Sequence, residues 1–267
     1  MPSAKLSAVS ALLLAAAALL GGCASKPADP TAKMTPEEIY AQAKEEMADI
    51  QYAKGIALLD KLEGRAAGTP LAQQAQLDKA YAHYKAEEPA QAVATLDRFM
   101  RLHPASPAID YALYLKGLVN FNENMGLFAS WFGQDLAERD QQAAKESFAA
   151  FRELVTRFPD SRYTPDARAR MTYIVNSLAK YEVHVARYYY SRGAYLAAIN
   201  RAQQAIIDYR DAPALEEALH ILVQSYDALQ MTQLRDDARR VLETNYPQSQ
   251  YLSSQASVTQ APWWKLW

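Results

Sequence analysis

The sequence predicts an all-α protein in which consecutive helices form antiparallel pairs. From Pro36 to about Tyr251, apolar residues recur with the helical period of about 3.6 residues, and no convincing run of alternating β-branched residues indicates a strand. The second observation is an internal repeat, because one arrangement of small and large apolar residues returns at 43–62, 80–104 and 186–210. Such a repeat predicts helix pairs that stack one on the next.

Charge and composition exclude several classes of function. The chain has 28 Lys and Arg residues against 30 Asp and Glu residues, a formal net charge of −2. No general positive field is therefore available to hold nucleic acid by its phosphates. Half of the residues are hydrophobic, as in a folded globular protein. The single cysteine, Cys23, excludes an intramolecular disulfide framework and a cysteine-based zinc cluster.

The first residues have the pattern of an exported lipoprotein. Residues 1–22 predict a signal peptide, in which Lys5 precedes an apolar run that is too short to span a bilayer. The sequence Leu20-Gly21-Gly22-Cys23 resembles the bacterial lipobox, which implies cleavage before Cys23 and lipidation of its thiol. Several acyl chains, palmitate among them, would anchor the chain stably to a membrane. Ala24 favours the inner leaflet of the outer membrane, facing the periplasm of a Gram-negative bacterium.

A polar segment separates this anchor from the helices. Residues 23–35 contain two prolines and predict a flexible tether, with folding beginning near Thr35. Thr35 and Thr164 each precede a proline, which predicts an N-cap residue followed by the first helical position. The second of these starts an unusually long helix, Pro165–Arg192, which we expect to join two groups of repeats.

Each repeat brings small residues together where two helices meet. Two antiparallel helices approach closely only where small side chains face each other, while larger apolar residues fill the space toward the next pair. This pattern resembles the tetratricopeptide repeat. The match at 186–210 is good, although Arg210 stands where the closing proline is expected, and the match at 216–247 is partial because Arg235 takes a small position.

The third repeat is interrupted by an insertion. Its first helix is predicted at Ile109–Asn120, with Gly117 at the small position, and its second at Gln141–Phe158. The insertion, 123–140, carries large apolar residues, among them Leu127, Phe128, Trp131 and Phe132, which either fold back onto the repeats or bind another protein. A similar sequence, which we call the shared tail, follows three of the second helices, for example Phe158-Pro-Asp-Ser-Arg-Tyr163, and is interpreted as a structural segment that ends each repeat.

We find no pattern that predicts catalysis or a cofactor. The four histidines are scattered, without a second ligand at helical spacing, and the nine glycines form no phosphate-binding loop. The chain is therefore predicted to be a binding protein rather than an enzyme. Tyrosine is abundant at 17 residues and carries interface energy well. Five tyrosines on or near the first helices of repeats are candidates for a substrate groove, or alternatively for the core: Tyr40, Tyr81, Tyr84, Tyr111 and Tyr114.

Longer strings resemble one family. The sequences Ile109-Asp-Tyr-Ala-Leu-Tyr-Leu-Lys-Gly-Leu118, Leu178-Ala-Lys-Tyr-Glu-Val-His-Val-Ala-Arg-Tyr-Tyr189 and Arg192-Gly-Ala-Tyr-Leu-Ala-Ala-Ile-Asn-Arg201 are similar to the BamD (ComL) family of the β-barrel assembly machinery, over about residues 20–250. The resemblance implies an α-solenoid of about five tetratricopeptide-like helix pairs. It implies an outer-membrane lipoprotein scaffold whose N-terminal repeats receive unfolded barrel precursors. Its C-terminal repeats would dock on a POTRA domain of the BamA-type barrel subunit and on other Bam lipoproteins.

Carried over residue by residue, the resemblance assigns a docking surface in the fourth repeat. Arg192, Asn200 and Arg201 would pair with carboxylates of the partner, although Arg201 has the alternative of being an ordinary exposed arginine. The predicted domains are then repeats 1–3 at 36–160 and repeats 4–5 at 161–251. Another periplasmic repeat lipoprotein, an adaptor for peptidoglycan or cell-division proteins, remains the alternative.

The last segment does not align with the family. Residues 252–267 contain three of the four tryptophans, beside Lys265. Indoles next to a lysine favour a bilayer interface or a hydrophobic groove of a partner, and a disordered tail is the alternative. The sequence leaves the choice open.

Overall fold

The protein is all-helical over the part of the chain that can be described. The computed structural model describes residues 29–121 and 136–252, with side chains for all of these except 136–140. Within these ranges there is no strand, and the helices are α1 (Pro36–Ala48), α2 (Tyr52–Arg65), α3 (Pro70–Lys85), α4 (Pro89–Leu102), α5 (Ile109–Val119), α6 (Leu136–Arg157), α7 (Thr164–Ser191), α8 (Tyr195–Asp208), α9 (Leu215–Ala228) and α10 (Thr232–Asn245), followed by a 3₁₀-helix (Gln250–Leu252).

The fold class predicted from periodicity is confirmed for these residues. Helices that follow one another pack together, as α1 does with α2 and α5 to α10 do in turn. The long helix predicted at Pro165–Arg192 is α7, which has 28 residues. None of the described helices is both long enough and apolar enough to cross a bilayer.

The two predicted threonine caps have different outcomes. Thr35 caps α1 as expected, since its hydroxyl accepts the N–H of Glu38 and the Glu38 carboxylate accepts the N–H of Thr35. Thr164 does not cap α7, and that prediction was wrong. It is the first helical residue, and its hydroxyl donates to the carbonyl of Phe158 at 2.8 Å, so it joins the helix to the preceding turn.

The chain divides into two compact units, up to Ala75 and from Gln76. The boundary falls within α3, and the predicted grouping into repeats at 36–160 and 161–251 stays a prediction. In the first unit, α1 and α2 approach closely at Gly55, where a Cβ atom would lie 2.6 Å from Cγ of Met47. Ala43 on α1 is fully buried, so small residues meet here as the repeat pattern predicts.

The segment before α1 is fixed to α2. Asp29 lies between Lys61 Nζ at 2.6 Å and Arg65 Nη2 at 3.0 Å. Arg65 also donates to the carbonyl of Thr31 at 2.5 Å, and Thr31 is buried. The hydrogen bond from Lys61, followed by those from the backbone N–H and hydroxyl of Thr31, holds the pKa of Asp29 well below its usual range. The folded structure thus includes Asp29, six residues before the start expected at Thr35.

The second unit has two hydrophobic clusters that share α7. The first cluster contains large buried residues of α3 to α6, and α7 contributes Ala167, Ile174 and Leu178 to it. The second contains residues of α8 to α10, and α7 contributes Ala179, Val183 and Ala186. The first half of α7 thus belongs to one core and its second half to the other.

The interrupted third repeat closes as predicted. A Cβ atom at Gly117 of α5 would lie 2.3 Å from Cε1 of Phe151 on α6, so only glycine fits. The buried hydroxyl of Ser147 donates to the Gly117 carbonyl at 2.8 Å. The helices at 109–119 and 136–157 therefore form a pair. Side chains of the insertion at 123–140 lie outside the described residues.

The shared tails form a common turn. In each, the carbonyl of the residue just after the helix accepts the N–H three residues later. The same hydrogen bond forms in the turn after α8, where Arg210 replaces the closing proline. That turn differs because Asp211 adopts a positive φ of 70°. The four pairs are His103 with Ser106, Phe158 with Ser161, Tyr209 with Ala212, and Tyr246 with Ser249.

Candidate functional site

Aromatic rings and arginines form a continuous surface on α5, α7 and the turn between α6 and α7. The rings of Tyr114 and Tyr163 stack with centroids 4.7 Å apart, and the ring of Tyr111 lies 5.6 Å from that of Tyr163. The guanidinium of Arg162 lies 4.7 Å from the centroid of the Tyr163 ring. We call this surface the aromatic–arginine strip, and it comprises Tyr111, Tyr114, Phe121, Arg162, Tyr163, Arg170 and Tyr173.

The strip continues along the first half of α7. Arg170 lies over the ring of Phe121, 4.5 Å from its centroid, and Phe121 meets Tyr173 edge-on at 5.7 Å. Tyr173 is 37% exposed. An aromatic ring with one face packed and the other exposed to solvent is suited to contact with another protein, because it buries a large surface area on binding at small entropic cost.

Asp166 connects the two parts of the strip. Its Oδ2 accepts the hydroxyl of Tyr114 at 2.8 Å and Nε of Arg170 at 2.7 Å. Burial alone would raise the pKa of Asp166, but these two hydrogen bonds lower it. The carboxylate is thus charged at neutral pH and fixes the orientation of both partners.

Two tyrosines of the strip are held in their neutral form. Burial, together with the charge of Asp78, raises the pKa of Tyr111 to about 12. Burial and the hydrogen bond to Asp166 raise the pKa of Tyr114. Neither hydroxyl is therefore suited to proton transfer at neutral pH, and the strip offers rings, hydroxyl groups and guanidinium groups for binding.

The five predicted groove tyrosines are placed differently. Tyr111 and Tyr114 lie in the strip, and Tyr84 packs against the same hydrophobic cluster. Tyr81 is 37% exposed, with its ring 6.3 Å from that of Tyr84. Tyr40 is half-buried on α1, in the first unit. The structure therefore joins Tyr111 to Tyr114 through Tyr163 and places Tyr81 beside Tyr84, and the role of all five in a groove stays a prediction.

Sequence reasoning missed most of the strip. Tyr163 was assigned to a structural tail, although its aromatic side chain beside an arginine was a usable signal. Arg170 was detectable from its spacing, since it lies one helical turn after Asp166. Phe121, just after α5, and Tyr173 of α7 come together only in the tertiary structure, where both helices pack against α6, and no local pattern indicates this contact.

The residues predicted to dock a partner lie near the start of α8. Arg192 follows α7, is exposed and lies over the ring of Tyr188 at 5.3 Å. Asn200 is exposed on α8, on the same face as Leu196 and Ile207, which are 66% and 65% exposed. The outer face of α8, defined by these three residues, is thus apolar at both ends and polar between them.

Arg201 already has a partner within the chain. Its Nη1 lies 3.3 Å from Oε2 of Glu182, whose side chain is only 9% exposed, while that of Arg201 is 46% exposed. Burial and the charge of Glu182 raise the pKa of Tyr209 to about 12. Arg201 is therefore not simply an exposed arginine, because it neutralises a buried carboxylate and keeps part of its guanidinium in solvent.

Two other predictions fall outside the described residues, namely Cys23 and nearly all of the 252–267 tail. Within 29–121 and 141–252, no group of His, Cys, Asp and Glu side chains is arranged to hold a metal ion.

Comparison with known proteins identifies the family. The family described as "YfiO: Outer membrane lipoprotein" matches residues 32–242. The outer membrane protein assembly factor BamD of Neisseria meningitidis serogroup B is 46% identical over 246 residues, covering 92% of each chain. The proteins of the same name from Vibrio cholerae and Xylella fastidiosa are 33% and 34% identical, covering 87% and 91% of this chain and 96% and 83% of theirs.

These matches confirm the resemblance drawn from the strings at 109–118 and 178–201. They cover both units, so the likeness is not confined to the repeat motif. The relatives are named as an assembly factor and not as an enzyme, in agreement with the prediction that this chain is not catalytic. The chain belongs to the outer membrane lipoprotein family of BamD.

Proposed function

We propose that this protein is a non-enzymatic assembly factor for β-barrel proteins of the outer membrane. A relative from Neisseria meningitidis is named as an outer membrane protein assembly factor, and the alignment covers 92% of its length. The observation that carries the proposal is the aromatic–arginine strip, a surface on the second unit in which the Asp166 carboxylate holds the Tyr114 ring and the Arg170 guanidinium in place.

The strip suits segments of unfolded barrel precursors. Strands of outer-membrane barrels alternate apolar and polar residues and are rich in aromatic residues near the membrane interfaces. The ring of Tyr173 offers such aromatic side chains a partly exposed contact, and Arg162 adds a donor for backbone carbonyls and carboxylates. Binding through rings and a few polar groups tolerates many sequences, as a factor with many substrates requires.

The outer face of α8 is our candidate for docking on the barrel-forming subunit. Leu196 and Ile207 provide apolar contacts, and Asn200 lies between them. Exposed apolar residues with polar neighbours are typical of protein interfaces. Arg192 and Arg201 would add contacts to carboxylates of a POTRA domain, with Arg201 shared between the partner and Glu182. Other lipoproteins of the machinery are further proposed partners.

The lipid anchor is part of the same proposal. If Cys23 is acylated, Asp29, which is fixed to α2, is the sixth residue after the anchor. Six residues span at most about 20 Å. The first unit would thus be held close to the membrane, where barrel precursors are inserted.

A co-purification experiment tests the docking role. The protein, tagged away from 252–267, is extracted from outer membranes in mild detergent, and proteins present in stoichiometric amount are identified. We expect a β-barrel subunit with POTRA domains, which is lost with Ile207→Asp and retained with Val241→Asp, a matched change at an exposed valine of α10. Recovery of peptidoglycan or division proteins without a barrel subunit would show that the proposed function is wrong.

A binding experiment tests the strip separately. A urea-denatured outer-membrane barrel protein is diluted onto the purified protein, and the dissociation constant is measured. Tyr173→Ala should weaken binding by about threefold to tenfold, the effect of losing one aromatic contact. Tyr188→Ala, at another exposed tyrosine of α7, should leave it unchanged. Equal effects of both variants on the dissociation constant would show that the strip is not the substrate-binding surface.

A further inference from the structure

The strongest feature that the proposed function leaves unused is a cleft on the side of α7. It has a volume of about 450 Å³ and lies where the two hydrophobic clusters of the second unit meet. Phe148 of α6 and Met171 of α7 pack against the first cluster, and Val175 of α7 packs against the second. These three side chains give the cleft an apolar lining. Its volume lies within the range in which ligand pockets fall.

The rim of the cleft carries positive charge. Arg168 of α7 and Arg210 of the turn after α8 both line it and are exposed. Neither guanidinium has a carboxylate partner among the residues that the structure describes. This distinguishes them from Arg170, Arg187 and Arg201, each of which is paired with a carboxylate. Asn176 adds an amide, and Asp211 adds one negative charge, so the lining keeps a net positive charge.

The sequence already marks Arg210 as unusual. It occupies the place where the repeat pattern expects a closing proline, and the next residue, Asp211, adopts a positive φ. Proline would fix the backbone and carry no charge. In this turn the chain instead presents an arginine at the cleft, and Ala212, which is buried, forms part of the wall.

We propose that this cleft binds a segment of a partner protein that presents a carboxylate next to a large apolar side chain. The apolar group fills the space over Met171 and Val175, and the carboxylate accepts hydrogen bonds from Arg168 and Arg210. Guanidinium groups bind carboxylates in a planar, two-point arrangement, which is a good match for two arginines at one rim. The site is distinct from both the aromatic–arginine strip and the outer face of α8.

Charge favours a partner over the chain's own tail. Residues 252–267 contain three tryptophans but no Asp or Glu, so the tail offers apolar groups without a side-chain carboxylate. The insertion at 123–140 contains both kinds of residue. Its deletion is therefore an essential arm of the test.

The test uses short fluorescein-labelled peptides and the full-length protein in detergent, with binding measured by fluorescence anisotropy. One peptide has Phe-Asp-Leu between Gly-Ser flanks, a second replaces Asp by Asn, and a third replaces Phe and Leu by Ala. We expect the first peptide to bind more tightly than either of the others. Equal binding of the Asp and Asn peptides would overturn the proposal.

Protein variants locate the site. Arg168→Gln and Arg210→Gln should each weaken binding of the Asp peptide by about twofold to fivefold, the effect of one exposed ion pair. Arg101→Gln, at an exposed arginine of α4, is the matched control and should change nothing. Asp211→Asn should strengthen binding, because it removes a like charge. An equal loss with Arg101→Gln would overturn the proposal.

Three further variants test the site and identify its occupant. Thr172→Trp places an indole in the cleft from an exposed position of α7, and it should abolish binding while leaving the melting temperature nearly unchanged. Unchanged peptide affinity in this variant would overturn the site. Deletion of 253–267 or of 124–133 should not alter affinity. A large increase on either deletion would show that this segment of the chain, and not a partner, fills the cleft.

Discussion

The two halves of α7 contact cores of different composition. The first half packs against large side chains, among them Phe99 and Phe151, and aromatic rings extend from this core to the surface. The second half packs against alanines, which lie fully buried on the neighbouring helices at 198, 202, 205 and 218. The same helix therefore supports two kinds of helix pairing.

The difference explains where each exposed surface comes from. Large rings cannot all be enclosed between α5 and α7, so Tyr163 and Tyr173 remain at the surface, held by stacking and cation–π contacts. Alanines allow α8 to approach α7 closely, which leaves the larger residues of α8, Leu196 and Ile207, on the outside. Large side chains between helices thus lead to the aromatic surface, and small side chains between helices lead to the aliphatic surface.

The largest expected effect is at Gly117, in the core that the first half of α7 joins, where α5 and α6 approach closely through a glycine. Gly117→Ala would place Cβ 2.3 Å from the Phe151 ring, which is fully buried and has no space to move. We expect the free energy of unfolding to fall by about 3 kcal/mol, as for an overpacked core. Denaturant titration followed by circular dichroism measures this.

Gly64 is the control for that experiment. It lies in α2, and nothing within 4 Å would meet a Cβ atom there. Gly64→Ala should therefore stabilise its helix by about 0.5–1 kcal/mol. If Gly117→Ala is as well tolerated as Gly64→Ala, close approach of α5 and α6 is not what selects glycine at residue 117.

The next effect compares the ion pairs of the two halves. Arg201→Gln leaves the buried Glu182 without its arginine and should lower the free energy of unfolding by about 1–2 kcal/mol. Arg170→Gln in the first half should cost less, about 0.5 kcal/mol, because Asp166 is more exposed and still accepts the hydroxyl of Tyr114. Thermal denaturation of the two variants tests the difference.

A double variant separates stability from docking at Arg201. Glu182→Gln combined with Arg201→Gln should recover most of the lost stability, because no buried carboxylate remains. If partner docking stays lost in this double variant, Arg201 contacts the partner directly. Wild-type stability of the single variant would instead contradict the structural role that we assign to the pair.

A smaller effect on stability is expected when the pH is lowered. His220 of α9 is buried, its Nε2 has no hydrogen-bond partner among the described residues, and its ring stacks on Tyr251 at 4.6 Å. Burial lowers its pKa. A lowered folded-state pKa stabilises the protein above the unfolded value of about 6.5, and this contribution is lost as pH falls toward the folded-state value.

The core around the second half of α7 should therefore lose stability first when the pH is lowered mildly. Asp166 in the first half also has a lowered pKa, but its contribution is lost only below the carboxylate range, about pH 4. Hydrogen exchange at pH 7 and pH 5.5 should show faster exchange in α9 and little change in α5. His220→Gln should reduce the difference between the two pH values, and His184 of α7, whose pKa burial also lowers, accounts for the remainder. Equal acceleration of both helices would contradict this assignment.

The sequence predicted features that depend on residues close together along the chain, and it did not predict those that depend on distant residues. Periodicity and small-residue spacing are local, and they predicted the helix pairs, the closure at Gly117 and the long α7. Contacts between distant residues were not predictable, such as the pair of Glu182 and Arg201 or the fixing of Asp29 to α2. The strip was found only in part, because two of its tyrosines follow the repeat pattern while Phe121 and Tyr173 meet through tertiary packing.

The smallest effect is expected at the turn between α8 and α9. Asp211 has φ of 70°, a left-handed conformation that costs most residues about 1 kcal/mol and costs glycine almost nothing. Asp211→Gly should thus raise the free energy of unfolding by about 0.5 kcal/mol, less than the full strain because glycine also gains freedom in the unfolded chain. Asp208→Gly, at the last residue of α8, is the control and should destabilise. Destabilisation by both changes would mean that the Asp211 side chain stabilises this turn by more than its backbone strain costs.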